Sequence, residues 1–304
     1  MLKVAGNMLK IFLFIMYCLL STAVEIAHGE VVYLGPIMLN GSWQQGALLY
    51  GQAPPGTRLE FLGQIPVVLA DGRFILGLDR DAPASVELKA SVQGHSWQVK
   101  HPVATRQYDV QKITGVEDKF VNPDPSLTAR IEREAKMVDQ ARSLRNKTDA
   151  ALKPFIWPAK GPISGVYGSQ RVFNGVPKRP HYGLDIAGPL GAPVYAPQSG
   201  LVTLAQTDLF YTGGTVILDH GLGLTSTCMH LSRVLVEVGQ QVKQGDLIGL
   251  IGKTGRVTGP HLDWRMNWHN QHIDPEPLVR GKPMPGDDQI SNESGTKMRP
   301  NSKP

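Results

Sequence analysis

The pattern of apolar and polar positions changes character several times along the chain. A nearly unbroken apolar run from Ile11 to Val24 follows Lys3 and Lys10, with small residues at Ala27 and Gly29. That order predicts an export signal over residues 1–29. The run, about fourteen residues, is shorter than the roughly 20 that cross a bilayer. Membrane contact is therefore expected only through an uncleaved signal, and the mature chain is expected in the periplasm or cell envelope. Residues 30–110 alternate in short stretches, "ALLYG", "TRLEFLG", "IPVVLADGRFILGL" and "ASVELKASVQGHSWQV", punctuated by Pro54-Pro55-Gly56, Asp71-Gly72 and Gln93-Gly94. Period-two patterning predicts strands there, and Asp71-Gly72 between apolar runs predicts a hairpin. A small β-sandwich is the expected outcome.

Residues 111–152 read as a linker with a helix. Asp124 can cap it with Pro125 at the first position. Leu127, Ile131, Ala135, Val138 and Leu144 fall near helical spacing, with Arg130 and Glu134 four apart. Residues 153–282 are glycine-rich and β-branched, which predicts strands and turns. Residues 283–304, "PMPGDDQISNESGTKMRPNSKP", carry too few apolar side chains to offset ordering entropy and are expected to be a disordered tail. The fold class is mainly β: an N-terminal β-sandwich, a connector helix and a C-terminal antiparallel sheet domain.

Composition agrees with that pattern. The 33 Gly and 23 Pro favour turn-rich β structure over helix bundles. Loss of the signal removes Lys3, Lys10 and Glu25 and changes the net charge from +5 to +4. Such mild basicity suits an anionic envelope polymer but is no mark of a nucleic-acid binder. Cys228 is then the only cysteine left, so no internal disulfide can form.

Six of the nine histidines fall in the C-terminal region. "RPHYGLDIAGP" carries His181 and Asp185, "STCMHLSRV" carries His230, and "TGPHLDWRM" carries His261 and Asp263. In this order, with "HYGLDIAGPLGAPVYAPQSGLV" and the long segment from Gly213 to Leu262, the region resembles the lysostaphin-type (LytM) zinc peptidases that cut peptidoglycan peptides. The resemblance implies that His181 and Asp185 are zinc ligands and that Asp263 stands where the third ligand is normally histidine. It also implies that His261 acts on the attacking water and that His230 steadies the transition state. One zinc ion per chain, a peptidoglycan peptide as substrate and a C-terminal antiparallel sheet domain with a groove follow as expectations of that resemblance.

Physical chemistry allows the arrangement. A catalytic zinc needs three protein ligands and an open position. Residues two apart on a strand share a face, so His261 and Asp263 can look into one cleft. An Asp oxygen reaches about as far from its Cα as a histidine Nδ1. A second carboxylate, however, lowers the net charge of the centre, which should polarise a carbonyl less and relax the preference for zinc. The alternative expectation is a weak or inactive family member that activates another wall hydrolase. A D-alanyl-D-alanine carboxypeptidase would need a glutamate shortly before the last histidine, and "GKTGRVTGP" has none.

Other candidates invite weaker expectations. Arg171 and Asn174, just ahead of His181, are candidate substrate contacts. His269 and His272 beside Asp274 form a tempting metal motif, yet they follow the last active-site strand. His220 precedes a glycine turn and suits a structural role, as do His95 and His101. Cys228 reads as a packed thiol, and Trp264 and Trp268 suit either core or cleft wall.

Overall fold

The computed structural model describes residues 30–115, 117, 121 and 124–284. The expected export signal and the tail from residue 285 onward lie outside these residues. Met284, inside the expected tail, packs against the core.

The N-terminal region forms two antiparallel sheets. One runs in the order β1 (Glu30–Leu34), β2 (Ile37–Gly41), β3 (Leu48–Gln52), then β5 (Arg73–Gly77), while β4 (Arg58–Phe61), β6 (Ser85–Val92) and β7 (His95–Pro102) make the other. Gln93-Gly94 is the tight turn between β6 and β7, with Val92 opposite His95 and φ of 50° and 78° at the turn residues. Positive φ at both central positions matches the twist of the flanking strands. The Asp71-Gly72 hairpin does not form as expected. A turn is present, since Gly72 N–H donates to the Leu69 carbonyl at 2.9 Å. The stretch before it, however, is not a strand, and β5 pairs with β3 instead. Pro66 lacks the N–H that a ladder needs. Gly72 serves a different end: a Cβ there would lie 1.8 Å from the Ala53 carbonyl, so only glycine lets the two segments meet.

The C-terminal region is built on a ten-stranded sheet. Its path is β17 (Gln241–Val242), β14 (Gly200–Leu209), β15 (Gly213–Asp219), β16 (Leu224–Val234), β19 (His261–Trp268), β12 (Gly183–Ala187) and β9 (Ile163–Gly165). Beside it run β13 (Pro193–Tyr195), β18 (Leu247–Ile251) and β20 (Gln271–Ile273), and α2 (Glu276–Val279) follows. A small separate sheet joins β8 (Val110–Ile113), β10 (Gln170–Phe173) and β11 (Val176–Pro177), with β8 and β10 parallel.

Buried apolar residues of the two regions form one continuous cluster. Phe61 meets Trp268 at 6.2 Å between ring centroids, and a Cβ on Gly77 would come within 2.7 Å of both Trp268 and Ile273. The two regions thus share a core. The expected helix is present as a capped 3-10 turn, Pro125–Leu127, leading into α1 (Thr128–Arg142). Asp124 accepts from Ser126 N–H at 2.8 Å, and Arg130 pairs with Glu134 at 2.6 Å. Met137, Val138 and Ala141 pack on Leu204, Leu209 and Ile217, while Leu127 and Ile131 join Phe173 and Phe210. Leu144 lies past the helix end and is exposed. This docking lays α1 along one wall of the groove described next.

Candidate metal centre and groove

Strand alternation sorts β19 into two faces. Leu262, Trp264, Met266 and Trp268 are fully buried in the core, which assigns both tryptophans there. His261, Asp263 and Arg265 share the other face. β12 lies antiparallel to β19, with Asp185 directly opposite Asp263 and Gly183 opposite Arg265. Two like charges in direct cross-strand register destabilise a sheet, and both are buried here. Something cationic must hold them.

His181 does part of this. Its ring is fully buried, with Nε2 3.0 Å from Asp185 Oδ1 and 3.4 Å from Asp263 Oδ1. Its Nδ1 faces the Val166 carbonyl at 3.2 Å, and its backbone is tied to Ser169 and Gly168. With Nδ1 turned to a carbonyl, Nε2 is the nitrogen free to ligate. His181 Nε2 and Asp185 Oδ1 are both buried and, although 3.0 Å apart, make no well-directed hydrogen bond, an arrangement that normally costs free energy. His181, Asp185 and Asp263 are the one group among the described residues that brings three ligand atoms within 4.8 Å of one another. One imidazole nitrogen and two carboxylate oxygens converging in a buried corner fit a divalent cation.

Arginines complete the electrostatics. Arg171 donates to Asp185 Oδ2 at 2.7 Å, which leaves Oδ1 facing inward. Arg265 grips both oxygens of Asp263, Nε to Oδ1 at 3.0 Å and Nη2 to Oδ2 at 2.7 Å. Gly183 makes room for this grip, because a Cβ there would lie 2.6 Å from Arg265 Cγ and 2.8 Å from Asp263 Oδ1. Burial works to raise the Asp263 carboxyl, but Arg265 and His181 overcome it and hold it well below the usual range. Asp185 is also lowered: burial and the Asp263 charge push up, and His181 and Arg171 outweigh them. Burial opposes protonation of His181, but Asp263 and Asp185 prevail and raise it.

His261 and His230 flank this corner, with ring centroids 5.0 Å apart. His261 Nε2 lies 3.7 Å from Asp185 Oδ1, and its Nδ1 meets the Gly259 carbonyl at 2.9 Å. His230 Nδ1 meets the Thr254 carbonyl at 2.9 Å. In the neutral rings Nδ1–H donates to these carbonyls, so each Nε2 is an acceptor. Burial drags His230 down to about 4, which keeps it neutral at neutral pH. The expected donor role of His230 therefore requires that it first receive a proton.

His230 owes its position to an irregularity. It has φ of 65°, and the β15–β16 register shifts beside it. β16 pairs with β19 up to Met229 and with β18 from Leu231, so His230 sits where the strand changes partner. The bulge turns both Met229 and His230 toward the groove. Cys228 remains in the core, its thiol pushed up to about 12 by burial, the environment of a packed thiol rather than of a nucleophile.

The remaining candidates separate. Asn174 occupies the turn between β10 and β11 with φ of 49°, exposed, and does not line the groove. His272 bonds Asp79, Asp274 pairs with Arg106, and His269 is buried beside Trp268, so these three do not share a site. His220 is buried between the Ser199 carbonyl and Ser226 Oγ. His101 stacks on Trp43 and His95 on Trp97. Arg265 and Arg256 were not anticipated. The Asp-x-Arg spacing of residues 263–265 was a readable signal for Arg265, since residues two apart share a strand face. Arg256, in "GKTGRVTGP", shows no such signal.

The groove encloses about 600 Å³ between α1 and the sheet. Residues 179–275 match the model of peptidase family M23. The peptidoglycan DD-endopeptidase ShyA of Vibrio cholerae is 33% identical over 188 residues, 60% of this chain and 40% of ShyA. ShyB of the same organism is 40% identical over 95 residues, 31% of this chain and 22% of ShyB. The chain thus spans less than half of these curated relatives. A crystal structure described as a candidate M23 peptidase from Pseudomonas aeruginosa superposes with a TM-score of 0.62 at 27% identity, over 79% of this chain and 96% of that one. Residues 179–275, whose strands bring His181, Asp185 and Asp263 together, form a domain of peptidase family M23.

Proposed function

We propose that the protein is a zinc-dependent endopeptidase of the cell envelope that hydrolyses peptide bonds in peptidoglycan stems or cross-links. The observation that carries this reading is the buried cross-strand pair Asp185 and Asp263 with His181 Nε2 aimed between them. These three would hold the ion. When bound, a divalent ion supplies Lewis-acid polarisation of a carbonyl and makes a nearby water more acidic.

The chain's own residues supply the proton traffic. His261 Nε2 is an acceptor at the mouth of the corner, suited to take a proton from the attacking water. As the water oxygen bonds to the carbonyl carbon and the C–N bond breaks, that proton passes to the leaving amine. His230, neutral and 5.0 Å away between ring centroids, accepts from the water or, once protonated, donates to the developing oxyanion. ShyA and ShyB are DD-endopeptidases by name, which favours a cross-link as the bond cut.

One observation favours the second reading, a weak or inactive member that activates another wall hydrolase. Arg265 engages both oxygens of Asp263, so that carboxylate must share one with the ion. A single experiment separates the two: zinc content and digestion of purified sacculi, for wild type and Asp263→His. About one zinc per chain with digestion that chelators abolish supports the enzyme. Absence of zinc and of digestion by wild type, with Asp263→His alone active, would overturn it in favour of the regulator.

A further inference from the structure

Arg171, Lys178, Arg179, Arg256 and Arg265 line the groove beside His230 and Asp263. Arg171 and Arg265 are engaged with Asp185 and Asp263. Lys178 donates to the Val121 carbonyl, and Arg179 is exposed at the rim. Arg256 stands apart. Its guanidinium carbon lies 4.6 Å from the Tyr211 ring centroid and 5.0 Å from that of Phe173. Among the described residues no carboxylate pairs with it.

Stacking on aromatic rings covers a guanidinium's face and leaves its in-plane N–H groups for a planar acceptor. The Arg256 backbone is pinned by N–H donation to the Tyr211 carbonyl at 2.9 Å. Two residues earlier, the Thr254 carbonyl accepts from His230 Nδ1, which ties this segment to the reacting corner. Burial, with Arg265 and Arg171 adding to it, draws Arg256 down to about 10, still charged at neutral pH. A partly desolvated cation without a counter-ion is costly alone, and a ligand carboxylate relieves that cost. Glu134 and Asp139 on the α1 wall oppose a polyanion, so the groove suits a single carboxylate within a peptide.

We infer that Arg256, stacked on Phe173 and Tyr211, is a subsite for a free carboxylate of the peptide substrate. The inference rests on the hydrolase reading, whose substrate it specifies: a stem peptide with free carboxylates in preference to one in which they are amidated.

The test measures binding of the full chain to an uncross-linked synthetic stem peptide in three forms. One has all carboxylates free, one has its C-terminal carboxylate as the amide, and one has its side-chain carboxylates as amides. Wild type should favour the free acid over one amide by roughly 10-fold or more, as a charge-assisted fork contact implies. Whichever amide loses affinity identifies the source of the carboxylate. Arg256→Gln should level the three to within about twofold, and Arg256→Lys should retain part of the preference. Equal binding of all three by wild type, or binding of none, overturns the inference. So does a folded Arg256→Gln that keeps the preference. Should that variant fail to fold, the wild-type comparison and Arg256→Lys decide. Hydrolysis of cross-linked peptide is scored separately. A carboxylate preference without hydrolysis sinks the enzyme reading alone, and hydrolysis with flat binding sinks the subsite alone.

Discussion

Asp185 and Asp263 face each other across two neighbouring strands, yet their surroundings differ. Asp185 is held by Arg171 through one oxygen, and the other lies 3.0 Å from His181 Nε2 with no arginine on it. Asp263 has both oxygens in the grip of Arg265 and is the more deeply buried. The same functional group is thus a ready ligand on β12 and a shared one on β19. A carboxylate at position 263, where the family resemblance implies a histidine, brings a negative charge that a neutral imidazole would not. The arginine two residues on offsets that charge. This asymmetry explains how two buried aspartates are accommodated in direct register.

Breaking the ready ligand should have the largest effect. Asp185→Asn keeps the shape but removes the charge, and zinc affinity should fall at least roughly 100-fold in a chelator-competition titration. Unchanged affinity would mean that the ion, if any, sits elsewhere. Next comes Arg265→Gln, which leaves Asp263 buried without its cationic partner. It should destabilise the metal-free protein by about 3–5 kcal/mol in urea denaturation. Saturating zinc should restore much of that loss, because an ion that binds only the folded state stabilises it by mass action.

An acid scan defines where these comparisons are valid. Burial lowers His220 from 6.5 to about 4, so the folded chain resists a proton that the unfolded chain accepts. Its contribution is whole above pH 6.5 and is lost progressively as pH falls toward 4, up to about 3 kcal/mol. Asp263, held below its usual range, loses its contribution only at more acidic pH. Denaturation midpoints at several pH values should show the first decline in every variant, and a flat response from pH 7 to 4.5 would contradict it. The smallest effect is expected from Arg171→Gln. One hydrogen bond to the less deeply buried carboxylate is lost while His181 still faces it, and the cost should be about 1–2 kcal/mol. A cost equal to that of Arg265→Gln would erase the asymmetry between the aspartates.

Much of the site's chemistry was open to reading from the chain. His181 and Asp185 stand four apart and His261 and Asp263 two apart, which specified ligand types and a shared strand face. The same period-two logic would have flagged Arg265, but attention to ligands alone passes over their holders. His230 was visible as a residue and not as a position, because a bulge and a left-handed φ override the alternation that sequence reasoning assumes. Asp71-Gly72 failed for the opposite reason: its turn formed, but β5 found β3, a pairing set by tertiary packing. Asn174 sits in an Asn-Gly hairpin turn between β10 and β11, outside the lining of the groove.

By itself, the order of residues determined the element types, the donor atoms and the mainly β class, because these depend on short-range periodicity and on side-chain chemistry. Only the tertiary structure decided that Asp185 lies opposite Asp263, that α1 walls the groove and that Arg256 stacks on Tyr211 and Phe173 with no carboxylate partner among the described residues. Those outcomes follow from packing and electrostatic balance between segments far apart in the chain, which no local pattern encodes.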